Sequence, residues 1–217
     1  MIIELGHYAL VLALATALIV SILPVIGARR CDVSMMNIAP VGSIVMFLLV
    51  AFSFGVLTYA YVASDFSVLN VWANSHSLMP LIFKISGVWG NHEGSMMLWL
   101  LILALFSALV ALFGRNLPDV LRANVLAVQS WISSAFLVFI LLTSNPFIRL
   151  NPAPAEGKDL NPVLQDIGLA IHPPCSISAM SASLSASPLP WRPFWKVASM
   201  PPGRAGSGPG RSPPGVS

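Results

Sequence analysis

The sequence predicts an all-α fold: a polytopic integral membrane protein with four transmembrane helices, surface segments on one side of the bilayer and a disordered C-terminal tail. Three observations carry this. First, 56% of the 217 residues are hydrophobic and only 9% are charged, against roughly 25% charged in a soluble domain. Second, the mean hydropathy is +0.81. Third, four charge-free apolar runs approach or exceed the ~20 residues needed to cross a bilayer. They are 8–28, 41–63, 96–113 and 123–143. A backbone crossing lipid must satisfy its own hydrogen bonds, so these runs are helices. The composition excludes a soluble enzyme, a disulfide scaffold and a wholly disordered chain.

The first run is predicted to be a retained span rather than a signal peptide. Its N-terminal flank holds Glu4 and no Lys or Arg, and its basic residues Arg29 and Arg30 follow it. Basic residues mark the cytoplasmic side. Arg29, Arg30, Arg115 and Arg122 therefore place the N-terminus, the 64–95 loop and everything after Thr143 on the opposite side. The net charge of +3 hides a split. Residues 1–174 are net −1 and the remainder is net +4, so basicity belongs to the tail and does not point to nucleic acid. Cys31 and Cys175 stand alone, with no zinc or disulfide spacing.

The loop between the second and third runs contains Trp72, His76, Lys84, Trp89 and His92, and its apolar stretch 78–89 is too short to span. An interfacial segment with Lys84 snorkelling is expected. Beyond Thr143 the chain is polar and broken by Asn151-Pro152, Asn161-Pro162 and His172-Pro173-Pro174. Apolar positions 160, 163, 164, 167 and 171 predict a short amphipathic helix. Residue His172, preceding a proline, is expected to be extended. The 43 residues from Cys175 onward contain ten Ser, eight Pro and five Gly and no acid, which predicts disorder.

His7, His76, His92 and His172 all fall on the predicted outer side. Imidazole is a good haem ligand, but each histidine alone reads equally as a surface residue, and His92-Glu93 as a hydrogen-bonded loop pair. The stretch His76–Leu100, HSLMPLIFKISGVWGNHEGSMMLWL, and residues 142–174, LTSNPFIRLNPAPAEGKDLNPVLQDIGLAIHPP, resemble the N-terminal part of the CcmF family of bacterial cytochrome c-type biogenesis proteins, haem lyase subunits. The resemblance covers residues 1–174 and implies a multi-pass protein of the bacterial inner membrane with a periplasmic N-terminus. It implies haem b as cofactor or substrate, and as partners membrane lipid, the apocytochrome c and other cytochrome c maturation proteins. His172 aligns with the family's periplasmic axial haem-iron ligand in the IHPP block. Trp89, Gly90, Asn91, His92, Glu93 and Gly94 form the family-motif loop. The family's tryptophan-rich haem motif and its other histidine ligands have no counterpart in this chain, so no catalytic residue is assigned, and weak or absent haem binding is expected.

After HPP, members of the family continue Leu-Leu-Tyr-Leu-Gly-Tyr-Val-Gly-Phe. A GC-rich coding of that run, read one base out of register, translates as CSISAMSAS, which is residues 175–183 here. The tail is therefore expected to be out-of-frame translation of a truncated family member. The competing readings are a non-catalytic transporter and a scaffold subunit of a larger complex. A transporter should carry ionisable residues inside its spans, and the four runs have none.

Overall fold

The computed structural model describes residues 1–30 and 32–186. Eight α-helices occur among them: α1 (Ile2–Arg30), α2 (Val33–Met36), α3 (Ile38–Val62), α4 (Leu69–Asn74), α5 (Leu81–Gly87), α6 (His92–Phe113), α7 (Asp119–Thr143) and α8 (Ile167–Ala186). Among the described residues four stretches are long and apolar enough to cross a membrane: α1, α2 with α3, α6 and α7. Each extends beyond its predicted apolar run into a polar turn that water can serve.

The spans form a closed ring in which α1 packs on α3 and α7, α3 on α6, and α6 on α7. The buried stripe of α1 runs Ile3, Gly6, Leu10, Ala13, Ala17, Val20, Pro24 and Gly27. Its alternating three- and four-residue steps make a coiled-coil-like seam. Small residues line it because lipid tails supply no hydrophobic drive between helices, so close backbone approach must hold them. A methyl on Gly42 would collide with Val20 Cγ2, and one on Gly6 would come within 2.9 Å of Val56 Cγ1 and Phe147 Cζ. The Ser53 hydroxyl donates across the seam to the Gly6 carbonyl (2.8 Å). Pro24 interrupts the α1 hydrogen-bond ladder, and one turn earlier the Trp131 indole N–H of α7 donates to the Ser21 carbonyl (2.7 Å). Outside the ring, Tyr8, Leu12, Leu48, Phe52, Trp131 and Leu142 stand exposed. That belt suits lipid and would aggregate in water.

One end of the ring, the basic end, holds Arg29, Arg30 and the Arg122–Asp119 pair (3.5 Å). The other, the loop end, gathers the start of α1, the 63–91 loop, the start of α6 and the chain after α7. There α3 stops in a reciprocal pair of backbone bonds, Ser64 N to Tyr61 O (3.1 Å) and Asp65 N to Ala60 O (3.0 Å), with Ser64 at φ 53°. This is the left-handed helix stop that glycine usually supplies. Lys84 Nζ donates to the Ser64 hydroxyl (2.7 Å), so that lysine bridges the loop and does not snorkel. On α5, Leu81 and Ile82 remain exposed, as does the preceding Leu78 at 87%.

Two expectations are corrected at the C-terminal side. The helix expected at 160–171 starts at Ile167, and it does not end at His172. His172 is helical rather than extended, and both Pro173 and Pro174 lie inside α8. The pre-proline bias against helix is a preference only, and here the helix is anchored on both sides of it. Residues 175–186, expected to be disordered, continue the helix. Their Ser, Ala, Ile and Met residues permit it, and Ile177 buries against Leu98 and Ile102 of α6. The rest of the predicted tail, 187–217, lies outside the described residues, as does Cys31.

Candidate functional site

The family-motif loop organises the loop end through Asn91. Asn91 caps α6: its Oδ1 accepts the Gly94 N–H (2.8 Å), filling one of the four unpaired donors of the helix start. Its Nδ2 donates to the carbonyls of Gly87 (2.9 Å) and Val88 (3.3 Å) and to Tyr61 Oη (3.0 Å). The Tyr61 hydroxyl donates in turn to Asn70 Oδ1 (2.5 Å). Asn70 Nδ2 then donates to Asn91 Oδ1 (2.9 Å) and Glu93 Oε2 (3.3 Å). Tyr61 and Asn70 are buried, and a buried polar group is tolerable only when paired. The network thus fixes α3, α4, α5 and α6 to one another. Gly94 is required: a methyl there would collide with the Val88 carbonyl oxygen.

Trp89, at the head of the same motif, reaches α8. Its indole Nε1–H donates to the Ala170 carbonyl (2.9 Å). In a helix that carbonyl would bond the amide four residues on, which is Pro174; the tighter alternative three residues on is Pro173. Neither has an N–H. The IHPP block therefore creates an acceptor that the WGNHEGS block satisfies. Between them lies a cleft of about 370 Å³ lined by Trp89, Gly90, His92, Leu169, Ala170 and Pro173, with Ser86, Asn91, Ser95 and Leu164 completing it. Small-molecule sites span roughly 300–1,000 Å³ and are mainly apolar.

The histidines do not converge. His92 borders the cleft, exposed, with its ring edge-on to Phe139 at 6.1 Å between centroids. His172 is exposed on α8 next to the cleft-lining Pro173. Ala170, Ile177 and Ser181 mark the buried face of α8, and His172, two residues past Ala170, is turned about 200° from it. His7 lies against Asn145 and Phe147 at another corner. His76 faces Glu156 at 3.9 Å. Among the described residues no three of His, Cys, Asp and Glu are placed to hold a metal ion. The exposed His172 imidazole, on the side of α8 away from its buried face, is open to a porphyrin iron from one side.

A strap made by the chain after α7 closes this end. Leu69 N–H donates to the Ile148 carbonyl (2.8 Å) and Leu150 N–H to the Ser67 carbonyl (2.7 Å), while Lys158 N–H donates to the Trp72 carbonyl (2.8 Å). Arg149 joins Glu4 Oε1 (2.7 Å) to Ser67 Oγ (2.5 Å). The Lys158 ammonium sits 4.1 Å from the Trp72 ring centroid. Glu156 accepts the Ser77 hydroxyl (2.7 Å) and amide (3.0 Å), and these bonds hold its carboxyl below the usual range. Nothing in the residue order pointed to the Tyr61–Asn70–Asn91 network, whose members belong to three different helices and their caps. Asn91 alone was discoverable, as an Asn standing before an apolar run.

A family model described as Cytochrome C assembly protein matches residues 89–189. Over 174 residues the chain is 76% identical to the cytochrome c-type biogenesis protein CycK of Rhizobium meliloti, covering 80% of this chain and 26% of that protein. Over 175 residues it is 52% identical to CcmF of Pseudomonas aeruginosa, covering 80% and 27%. The chain thus spans about a quarter of the length of these curated relatives. The solved structure of cytochrome c haem lyase CcmF superposes with a TM-score of 0.72 at 23% identity, over 85% of this chain and 29% of that one. That likeness establishes the shared fold, and with the sequence matches it shows that this chain carries an N-terminal CcmF-like segment of the cytochrome c-type biogenesis proteins.

Proposed function

We propose that the chain handles haem in cytochrome c maturation, presenting His172 to haem iron at the periplasmic face of the bacterial inner membrane. One observation carries this reading: the two motif blocks that bear the resemblance meet around a single mainly apolar cleft, and His172, the residue before the cleft-lining Pro173, is exposed on the outer side of α8. The apolar walls of Trp89, Leu169 and Pro173 suit a porphyrin edge, while exposed Leu78, Leu81 and Ile82 suit the membrane surface from which an amphipathic ring would enter. When bound, haem would supply the vinyl groups that receive the thiols of an apocytochrome Cys-x-x-Cys-His sequence. The chain's own part is to hold the ring and offer one imidazole nitrogen. With His172 as the one imidazole ligand, binding is weak and mainly high-spin.

Haemin titration of the purified chain in detergent tests this through the Soret band. His172→Ala should abolish the His172-dependent spectrum, whereas His76→Ala and His92→Ala should leave most of it. Identical spectra for the wild type and His172→Ala, or tight six-coordinate low-spin binding, would overturn the reading.

A further inference from the structure

The Ala170 carbonyl is left without a donor by both of its helical options, since residues three and four further on are Pro173 and Pro174. Trp89 Nε1–H meets it at 2.9 Å. Trp89 is itself held, because Ser95 Oγ donates to its carbonyl (2.7 Å) and its ring packs in the cluster of Leu98, Ile102 and Ile177. The next residues, Gly90 and Asn91, lead directly into the α6 cap. A rigid donor on the bundle thus meets an acceptor that only a Pro-Pro pair leaves open, one turn ahead of that pair and two residues before His172.

We propose that Trp89 is a positioning residue: its indole N–H, bonded to the carbonyl freed by Pro173-Pro174, sets the rotation and tilt at which α8 presents His172. The pairing explains why a helix would carry two prolines mid-course. A carbonyl free of any helical partner accepts a bond from the bundle without competition, so α8 has one docked orientation and not a range of them. The consequence for haem rests on the function proposed above; the docking of α8 does not.

The test is a cycle of Trp89→Phe, Pro174→Ala and both together in the full chain, in a Cys31→Ser background. Spin labels at the exposed Cys175 and at an introduced Leu142→Cys, a position 79% exposed on α7, report the placement of α8 by double electron–electron resonance. Trp89→Phe should lose the single narrow distance distribution. Pro174→Ala should broaden it as well, because the new backbone N–H bonds Ala170 O from within the helix and takes that acceptor from Trp89. The double variant should be no broader than either single one, since both remove the same bond. In parallel, Trp89→Phe and Pro174→Ala should each weaken the His172-dependent haemin signal about tenfold. An unchanged distribution in Trp89→Phe overturns the proposal. A wild-type distribution in Pro174→Ala beside a broadened one in Trp89→Phe also overturns it, since the ring's bulk and not its N–H would then matter. If Trp89→Phe fails to fold, Pro174→Ala, which keeps the ring, carries the test on its own. Broadening in both single variants with no His172-dependent haemin signal in the wild type would sink the haem reading while leaving the positioning of α8 in place.

Discussion

Asn91 offers a sharp test of how the loop end is built, because Ala and Asp replacements separate its two roles. Asn91→Ala removes the α6 cap, which typically costs about 0.5–2 kcal/mol. It also strips the Gly87 carbonyl of its side-chain donor and Asn70 Nδ2 of its shorter acceptor, leaving Asn70 the longer 3.3 Å bond to Glu93. Both groups keep one partner, so the lost bonding costs about 0.5–1.5 kcal/mol, and the total loss should be about 1–3.5 kcal/mol. Asn91→Asp keeps the cap, since Asp and Asn cap equally well. It fails on the other side, where an oxygen replaces Nδ2 opposite the Gly87 and Val88 carbonyls. The Tyr61 proton cannot relieve this without deserting Asn70 Oδ1. Asp should therefore cost about 2–3 kcal/mol. SDS titration in mixed micelles, followed by far-UV circular dichroism, measures both losses. A wild-type midpoint for Asn91→Asp would refute the network and reduce Asn91 to a cap.

Gly94→Ala should destabilise by at least as much as Asn91→Ala in the same titration, because its methyl meets the backbone of Val88 and no flexible side chain; a cost under about 1 kcal/mol would refute that packing. The lowered carboxyl of Glu156 makes the strap pH-sensitive on the acid side. Its contribution is complete above the ordinary carboxylate value of about 4.3 and is lost as pH falls through the lowered folded value. Hydrogen exchange over 149–160 should accordingly rise at low pH in the wild type, and an equal rise in Glu156→Gln would assign the effect elsewhere. Cysteines introduced near Leu78 should react with a membrane-impermeant reagent on intact spheroplasts, and cysteines near Arg122 should not; the reverse pattern would invert the proposed orientation.

The four spans were legible because lipid makes a severe demand: a long charge-free run has few alternatives. Their ends were less so. Glu4, His92 and Asp119 all lie within helices although they fall outside the apolar runs, because helix starts tolerate polar residues at the water boundary. His172 was identifiable by resemblance, but its backbone state was not. A local rule about prolines was outweighed by a bond from Trp89, 81 positions earlier in the chain. Gly94 and Asn91 were visible as motif letters, whereas their work depends on Tyr61, Asn70 and Val88 arriving from three other elements.

The Glu4–Arg149 pair joins residues 145 positions apart, and Gly6 seats Phe147 beside it. Ribosomes add roughly 5–20 residues per second, so the first span waits roughly 7–30 s after its N-terminal end is made before its final neighbour exists. Through that interval Glu4 has no arginine and the notch at Gly6 has no ring. The loop end therefore matures last and as a unit, and the insertion machinery must shelter an unfinished first helix until the fourth has entered the membrane.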